Sequence, residues 1–211
     1  VLVRDDQSTD RTADILDAHT NQLTIERLDD REHLGVVGSF GRLLEHSAAG
    51  CMFFCDQDDV WSPAKIRRVM NTFDAYAAEH GSEAPLMVCS DAEVIDGAGH
   101  RVARSFFRHQ HLSPKATALR QLLTQNMALG NTVALNRAMA NAALPIPAEA
   151  VMHDHWISLV AALCGEIVVL DAPTGQYRQH ATNVIGTPGR GVGYWLSHVR
   201  QGVGGQKAKY H

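Results

Sequence analysis

The residues that invite a chemical reading are the carboxylates, because they fall in tight groups directly after apolar runs. Asp56-Gln57-Asp58-Asp59 follows the run 51–55, Asp5-Asp6 follows Val1-Leu2-Val3, and Asp91 follows the run 86–89. Negative charge gathered at one sheet edge is costly unless a cation or hydrogen-bond donors offset it. Two carboxylates two residues apart on a loop, such as Asp56 and Asp58, can reach one hard cation. Mg2+ and Mn2+ prefer such oxygen ligands and share them with substrate phosphates. The bland alternative is a solvated acidic turn that caps the next helix; the position directly after a buried strand favours the ligand reading. Asp5 and Asp6, at a strand end, can accept hydrogen bonds from a nucleobase N–H or a ribose hydroxyl. Thr9 and Asp10 read as helix-capping residues instead. Asp154 opens an apolar helix, where the dipole and free N–H groups favour an ionised carboxylate, as a base or merely as a cap. Arg178 lies past a strand and offers a phosphate partner. Trp156 reads equally as a pocket wall or as core, and Trp61 as a packing group beside the acidic loop.

These side chains need elements to hold them. Residues 1–5 read as a strand already in progress, so the expectation is a domain incomplete on its N-terminal side. Helices are predicted at 12–18, 35–48, from Ser62-Pro63 to about 79, 116–123, 136–143 and 154–163, from capping residues and apolar spacing. Strands are predicted at 23–28, 51–55, 86–89, 167–170 and 175–179, with a hairpin over 94–102 turning at Asp96-Gly97-Ala98-Gly99. The run 51–55 has the fully apolar character of a buried parallel strand. Strand and helix alternate through the first 90 or so residues, the pattern of a parallel sheet wrapped by helices. The last stretch is rich in Gly around one amphipathic piece, 194–199.

Bulk properties narrow the field. The chain has 211 residues, 45% hydrophobic and 20% charged, an ordinary globular composition long enough for one α/β domain. A net charge of -4 and 6% aromatics argue against a nucleic-acid surface. Cys51, Cys55, Cys89 and Cys164 form no C-x-x-C pair and read as small buried hydrophobes in a reducing compartment. His109-Gln110-His111 and His153-Asp154-His155 lack a Cys or Glu at zinc-motif spacing and read as polar surface. No apolar stretch reaches the ~18 residues needed to span a membrane, and no signal peptide is recognised. Peripheral membrane contact through Trp195 and Arg200 of the tail is a weak expectation.

Several blocks together resemble the family 2 glycosyltransferases, most closely the bacterial rhamnosyltransferase-like branch. They are Arg4 to Thr12, Leu34-Gly35-Val36-Val37, Phe53 to Trp61 with Ser62-Pro63-Ala64-Lys65-Ile66, Gly130 to Arg137, His153-Asp154-His155-Trp156, and Tyr177 to Gly186. The resemblance implies a GT-A fold, a Rossmann-like and mostly parallel central sheet flanked by helices, here lacking the expected first strand. It implies a catalytic domain over 1–186, divided into a nucleotide-binding part (1–91) and an acceptor and catalytic part (92–186), with a Gly-rich tail at 187–211. It implies an inverting, metal-dependent transfer of a sugar, with rhamnose favoured, from a nucleotide-diphosphate donor. The acceptor would be a saccharide or a lipid-linked saccharide in cell-surface polysaccharide synthesis, in the cytoplasm or at the inner membrane face. Asp56 and Asp58 match the D-x-D that binds Mg2+ or Mn2+ and the diphosphate, with His180 completing the metal site. Asp5, Asp6 and Ser8 would contact the nucleoside, and Gln57, Asn131 and Arg178 the rest of the donor. Asp154 matches the catalytic base; Asp59 and Trp156 are candidate acceptor contacts. His33 stands where relatives often carry Asn, so no role is carried over to it. Two alternatives remain. One is a haloacid-dehalogenase-like phosphohydrolase, since Asp56-Gln57-Asp58-Asp59-Val60 follows an apolar strand. The other is an inactive nucleotide-sugar-binding fragment.

Overall fold

Which way each strand faces follows from the alternation of its side chains, and here both faces of the sheet are covered. A computed structural model describes residues 1–19, 24–28 and 32–179. His180, the Gly-rich tail, Trp195 and Arg200 lie outside the described residues. In chain order the elements are β1 (Leu2–Arg4), α1 (Thr12–His19), β2 (Glu26–Leu28), α2 (Gly35–His46), β3 (Cys51–Phe53), β4 (Val60–Trp61) and α3 (Lys65–His80). There follow β5 (Leu86–Asp96), β6 (Arg101–Ala103), α4 (Phe106–His109), α5 (Leu119–Leu122), a 3-10 turn (Gly130–Thr132), β7 (Ala134–Asn136), α6 (Arg137–Ala143), α7 (His153–Cys164) and β8 (Glu166–Gln179).

The larger sheet runs β3-β7-β5-β8-β4, with β6 on β5. β5 and β8 pair in parallel along nearly their whole length, whereas β3 with β7, β7 with β5, β4 with β8 and β6 with β5 are antiparallel. The sheet is therefore mixed, and β3 pairs antiparallel where an apolar run suggested a parallel strand. An apolar run reports burial on two faces and carries no information on direction. Residues 167–170 and 175–179 belong to one strand, interrupted by irregularities in its register with β5. β1 and β2 form a separate parallel pair.

Side chains of the strands sort by parity. Leu86, Val88 and Ala134 meet Val69 and Phe73 of α3, with Cys51 and Phe53 beside them. Met87, Cys89, Leu135, Met52 and Phe54 face the opposite way, onto Leu44 of α2, Met139, Ala140 and Ala143 of α6, and Ile157 and Ala161 of α7. The result is a three-layer α/β arrangement. Its deepest strand, β5, has Leu86, Met87, Val88 and Cys89 wholly inaccessible, which at about 25 cal/mol per Å2 of buried apolar surface makes it a principal source of stability. The hairpin turn falls where expected: the Asp96 carboxylate accepts from the N–H of Ala98 and of His100, and Gly99 supplies a φ of 88°.

The cysteines depart from expectation. Cys89 is buried, but Cys55 and Cys164 are exposed and Cys51 is half-buried, because the apolar runs that contain them end at the sheet rim or at a helix terminus.

Candidate active site

Three segments converge: the acidic loop between β3 and β4, the Gly130–Thr132 turn, and the first turn of α7. The loop leaves β3 at Phe53 and returns as Val60–Trp61, which pair with Gln176 and Gly175 of β8. Gly175 permits this approach, since a Cβ there would lie 2.8 Å from the Val60 carbonyl oxygen. Inside the loop Asp56 is half-buried, Gln57 is exposed, and Asp58 and Asp59 are partly covered. Burial, then the charges of Asp59 and Asp58, push the Asp56 carboxyl up to about 6, against the pull of Lys65.

Asp59 is engaged by the protein. It accepts from the backbone N–H of Arg178 at 2.8 Å and from the side-chain amide of Asn131. Burial raises its proton affinity, and these bonds oppose that rise. Arg178, expected to meet phosphate, donates from Nε to the Asp58 carbonyl at 2.8 Å and from Nη1 to the carbonyls of Asp96 and Gly97 at 3.2 Å. It ties the β5–β6 hairpin to the acidic loop. Asn131 is 3% exposed, and its Oδ1 is buried without a hydrogen bond among the described residues.

Lys65, at the start of α3, is 2% exposed. Its ammonium donates to the Asn131 carbonyl and lies 4.2 Å from the centroid of the Trp61 ring. Burial pushes it down to about 8, and the neighbouring Cys55, Asp59 and Asp56 counter that. A buried lysine this close to an acidic loop is a fixed counter-charge. Nothing in its residue type announces the role; the signal is its place in the Ser62-Pro63-Ala64-Lys65-Ile66 block.

Asp154 is 5% exposed in the first turn of α7. It accepts from Asn126 Nδ2 at 3.2 Å, from the N–H of His155 at 2.6 Å, and from the N–H of Gly130. Burial pushes it up to about 7; the charge of Asp56 adds to this, and the N–H groups of His155 and Gly130 oppose it. The Gly130–Thr132 turn therefore links the two acidic groups: Gly130 bonds to Asp154, and Asn131 bonds to Asp59 and Lys65. A Cβ on Gly130 would sit 3.2 Å from His153 Nε2 and 3.5 Å from Asp154 Oδ2.

The neighbouring histidines are interior, not the polar surface expected of them. His153 is 3% exposed, stacks on Phe40 with centroids 4.0 Å apart, and meets Phe54 edge-on at 5.1 Å. Neither ring nitrogen has a hydrogen bond among the described residues, and burial pushes it down to about 3, so it is neutral. His155 lies 2.7 Å from the Leu122 carbonyl through Nε2, which pins α5 to α7. Trp156 donates its indole N–H to the Ala143 carbonyl at 2.8 Å and packs against the core.

Asp5 and Asp6 sit after β1. Asp6 receives Arg4 at 2.5 Å and the N–H groups of Leu34 and Gly35 at 2.8 Å each. Burial alone would raise it, but Arg4, those N–H groups and His33 together hold it below the usual carboxylate range. Both oxygens are thus used to fasten the start of α2. Asp5 accepts from the Ser8 N–H at 3.0 Å, across a turn in which Gln7 has φ 68°. Asp10 accepts from the N–H and hydroxyl of Thr12, as a cap should. Asp91 is 6% exposed within β5 and accepts from the N–H groups of Ala92 and Phe107, so it fastens α4 and does not lie at the strand end.

Among the described residues no group of three or more His, Cys, Asp or Glu is arranged to hold a metal ion by itself. Asp56 and Asp58, two carboxylates two residues apart on one loop, nonetheless fit a magnesium-type site that takes its remaining ligands from phosphates and water. Among the described residues no helix is long and apolar enough to cross a membrane.

Residues 1–82 match the family described as Glycosyl transferase family 2. No curated protein matches the sequence. Among solved structures the chain is similar to S. aureus TarS 1-349, at 19% identity and a TM-score of 0.59, covering 84% of this chain and 50% of that one. It is likewise similar to S. aureus TarS 1-349 in complex with UDP, at 19% identity and 0.57, covering 85% and 51%. A third match, S. aureus TarS, has 19% identity and 0.58, covering 85% of this chain and 31% of that one. The chain spans about half the length of TarS 1-349. The likeness shows the fold to be the GT-A-type α/β architecture expected from the sequence.

Proposed function

We propose that the chain is a glycosyltransferase that moves a sugar from a nucleotide-diphosphate donor to a hydroxyl of an acceptor saccharide, with inversion. The observation that carries this reading is the Gly130–Thr132 turn, which joins a carboxylate-rich loop on one side to a buried carboxylate on the other. The match of residues 1–82 to Glycosyl transferase family 2 and the likeness to a TarS structure holding UDP support the donor class. Rhamnose as the donor sugar, a lipid-linked acceptor and work at the inner membrane face rest on the sequence resemblance alone.

Asp56 and Asp58 would hold Mg2+ or Mn2+, with His180 a further ligand. When bound, that ion supplies positive charge to a departing diphosphate. Gln57 on the exposed loop, and Asp5 with Ser8, would meet the donor. Asp6, Asp59, Asn131 and Arg178 would serve the donor through position, since their bonds hold the loops that meet it. Asp154 takes the proton of the acceptor hydroxyl; the freed oxygen pair forms the bond to the anomeric carbon as the bond to the phosphate oxygen breaks, and that electron pair leaves on the nucleoside diphosphate. A carboxyl pushed up to about 7 is matched to this task, because it accepts a proton readily yet is free to do so near neutrality.

The test is titration of the full-length protein with UDP and dTDP, with and without Mn2+, followed by an assay of nucleoside-diphosphate release from a panel of nucleotide sugars. Metal-dependent binding and release are expected. Release of inorganic phosphate in place of nucleoside diphosphate would favour the phosphohydrolase, and binding without release by any donor would leave only a binding fragment.

A further inference from the structure

A hollow of about 230 Å3 lies between the α4 exit and α5 and includes Leu112, Ser113, Gln121, Thr124, Gln125 and Met127 in its wall. Among the described residues no Asp, Glu, Lys or Arg lines it, and His111 is its one titratable group. The N–H of Gln125, just past α5, bonds to the Gln121 carbonyl at 3.0 Å, and both residues line the hollow. Neither side-chain amide meets a protein group among the described residues. The Thr124 hydroxyl donates to the Gln121 carbonyl at 2.7 Å, which leaves its oxygen to accept. Leu112 and Met127 add apolar surface. Neutral donors and acceptors around an apolar patch, without fixed charge, suit a ligand with many hydroxyls and no charge of its own.

The hollow is also tied to the candidate base. Asn126, between Gln125 and Met127, donates from Nδ2 to Asp154 at 3.2 Å and to the Ala128 carbonyl at 3.0 Å. The carbonyl of Leu122, in the same helix as Gln121, lies 2.7 Å from His155 Nε2, beside Asp154. A ligand seated on Gln121 and Gln125 is therefore held by the segment that positions the carboxylate.

We propose that this hollow is a subsite for a neutral saccharide, serving the acceptor of the transfer reaction proposed above, on which its assignment to the acceptor rests. The probes are methyl α-L-rhamnopyranoside, methyl α-D-glucopyranoside, methyl β-D-galactopyranoside and N-acetylglucosamine, titrated into the full-length protein while the side-chain amide resonances of Gln121 and Gln125 are followed. At least one glycoside should shift both amides saturably. Gln121→Ala with Gln125→Ala should weaken that binding roughly tenfold or more, the loss of two ordinary hydrogen bonds, while UDP binding is unchanged. Both residues are at the surface or half-buried, so the variant should fold, and an unchanged amide spectrum elsewhere checks this. The subsite is overturned if UDP binds but no glycoside shifts either amide, if glycoside affinity read by calorimetry is the same in the wild type and the double variant, or if acetate, phosphate or triglycine shifts the amides equally. Glycoside binding without UDP binding would instead sustain the saccharide subsite and remove the donor half of the proposed function.

Discussion

Asp154→Asn should abolish turnover and also remove a defined pH dependence from the stability of the chain. A carboxyl raised from 3.8 to about 7 binds its proton about 4 kcal/mol more tightly in the folded chain than in the unfolded one, at ~1.4 kcal/mol per pH unit. The sign follows from which state holds the proton. Between these two values the folded chain keeps a proton that the unfolded chain has released, so stability falls as pH rises, and above about 7 the full cost is present. Of that cost, about 3 kcal/mol falls between pH 5 and pH 8. With a urea m-value of about 2–3 kcal/mol per M, it lowers the midpoint by about 1 M across that interval.

Asn at this position does not titrate, so the interval should flatten by about that amount. Two further effects can be separated. The amide must point its NH2 toward one of the donors now facing Asp154, which costs about 1–3 kcal/mol at every pH and leaves the slope alone. Asp56, pushed up to about 6 by burial, Asp59 and Asp58, contributes its own slope in both proteins and cancels in the comparison. Urea melts of the wild type and the variant at pH 5, 6, 7 and 8 make the comparison. Equal slopes for the two proteins would refute the assignment of a protonatable, buried Asp154. In the wild type, turnover should rise with pH through about 7 as this carboxyl ionises.

Arg178→Lys should lose the fork that holds the Asp58, Asp96 and Gly97 carbonyls, at about 2 kcal/mol and a thermal midpoint lower by roughly 5 °C; an unchanged midpoint would return Arg178 to a purely ligand-binding role. Gly175→Ala should push β4 off β8, since its Cβ meets the Val60 carbonyl oxygen at 2.8 Å, destabilising the chain by about 1–3 kcal/mol and weakening nucleotide binding through the displaced loop, both readable in one melt with and without UDP. Asp6→Ala should speed hydrogen exchange at the amides of Leu34 and Gly35 and cost about 2–4 kcal/mol; the wild-type contribution is present above about pH 4 and fades as acid protonates Asp6, whose folded value is held below 3.8.

Much of the architecture is legible in the sequence because local rules and the fold agree there. Asn136 caps α6 through Met139 N–H, Asp10 caps α1, and the Asp96-Gly97-Ala98-Gly99 turn closes a hairpin. Strand direction is not legible, because β3 and β5 are buried on both faces and their side chains look the same whichever way a neighbour runs. The histidines mislead for a related reason. His153 is a polar residue type, but Phe40 and Phe54 offer it aromatic surfaces, and partners so far away in sequence cannot be seen from a local pattern. Lys65 is hidden likewise, since its burial depends on Asn131 and Trp61 arriving from other elements.

The same long-range partnerships alter how the polar residues around the acidic loop are to be understood. Residue type offers Arg178 as a phosphate ligand, and the family resemblance implies Asn131 as a donor contact and Asp59 as an acceptor contact. In the folded chain each is committed to another: Arg178 N–H and the Asn131 amide meet on Asp59, and the guanidinium grips the hairpin and the Asp58 carbonyl. Such bonds fix the backbone of Asp56-Gln57-Asp58 within a narrow range of positions, and Lys65 offsets part of its charge from beneath. A loop held this way resists collapse under its own repulsion, while burial and then the charges of Asp59 and Asp58 keep the proton affinity of Asp56 raised. The proposed site therefore depends on partners distant in sequence: Asp59 takes the Arg178 N–H and the Asn131 amide, and the Arg178 guanidinium takes the Asp58 carbonyl, so substitutions at either partner should move the Asp56-Gln57-Asp58 segment.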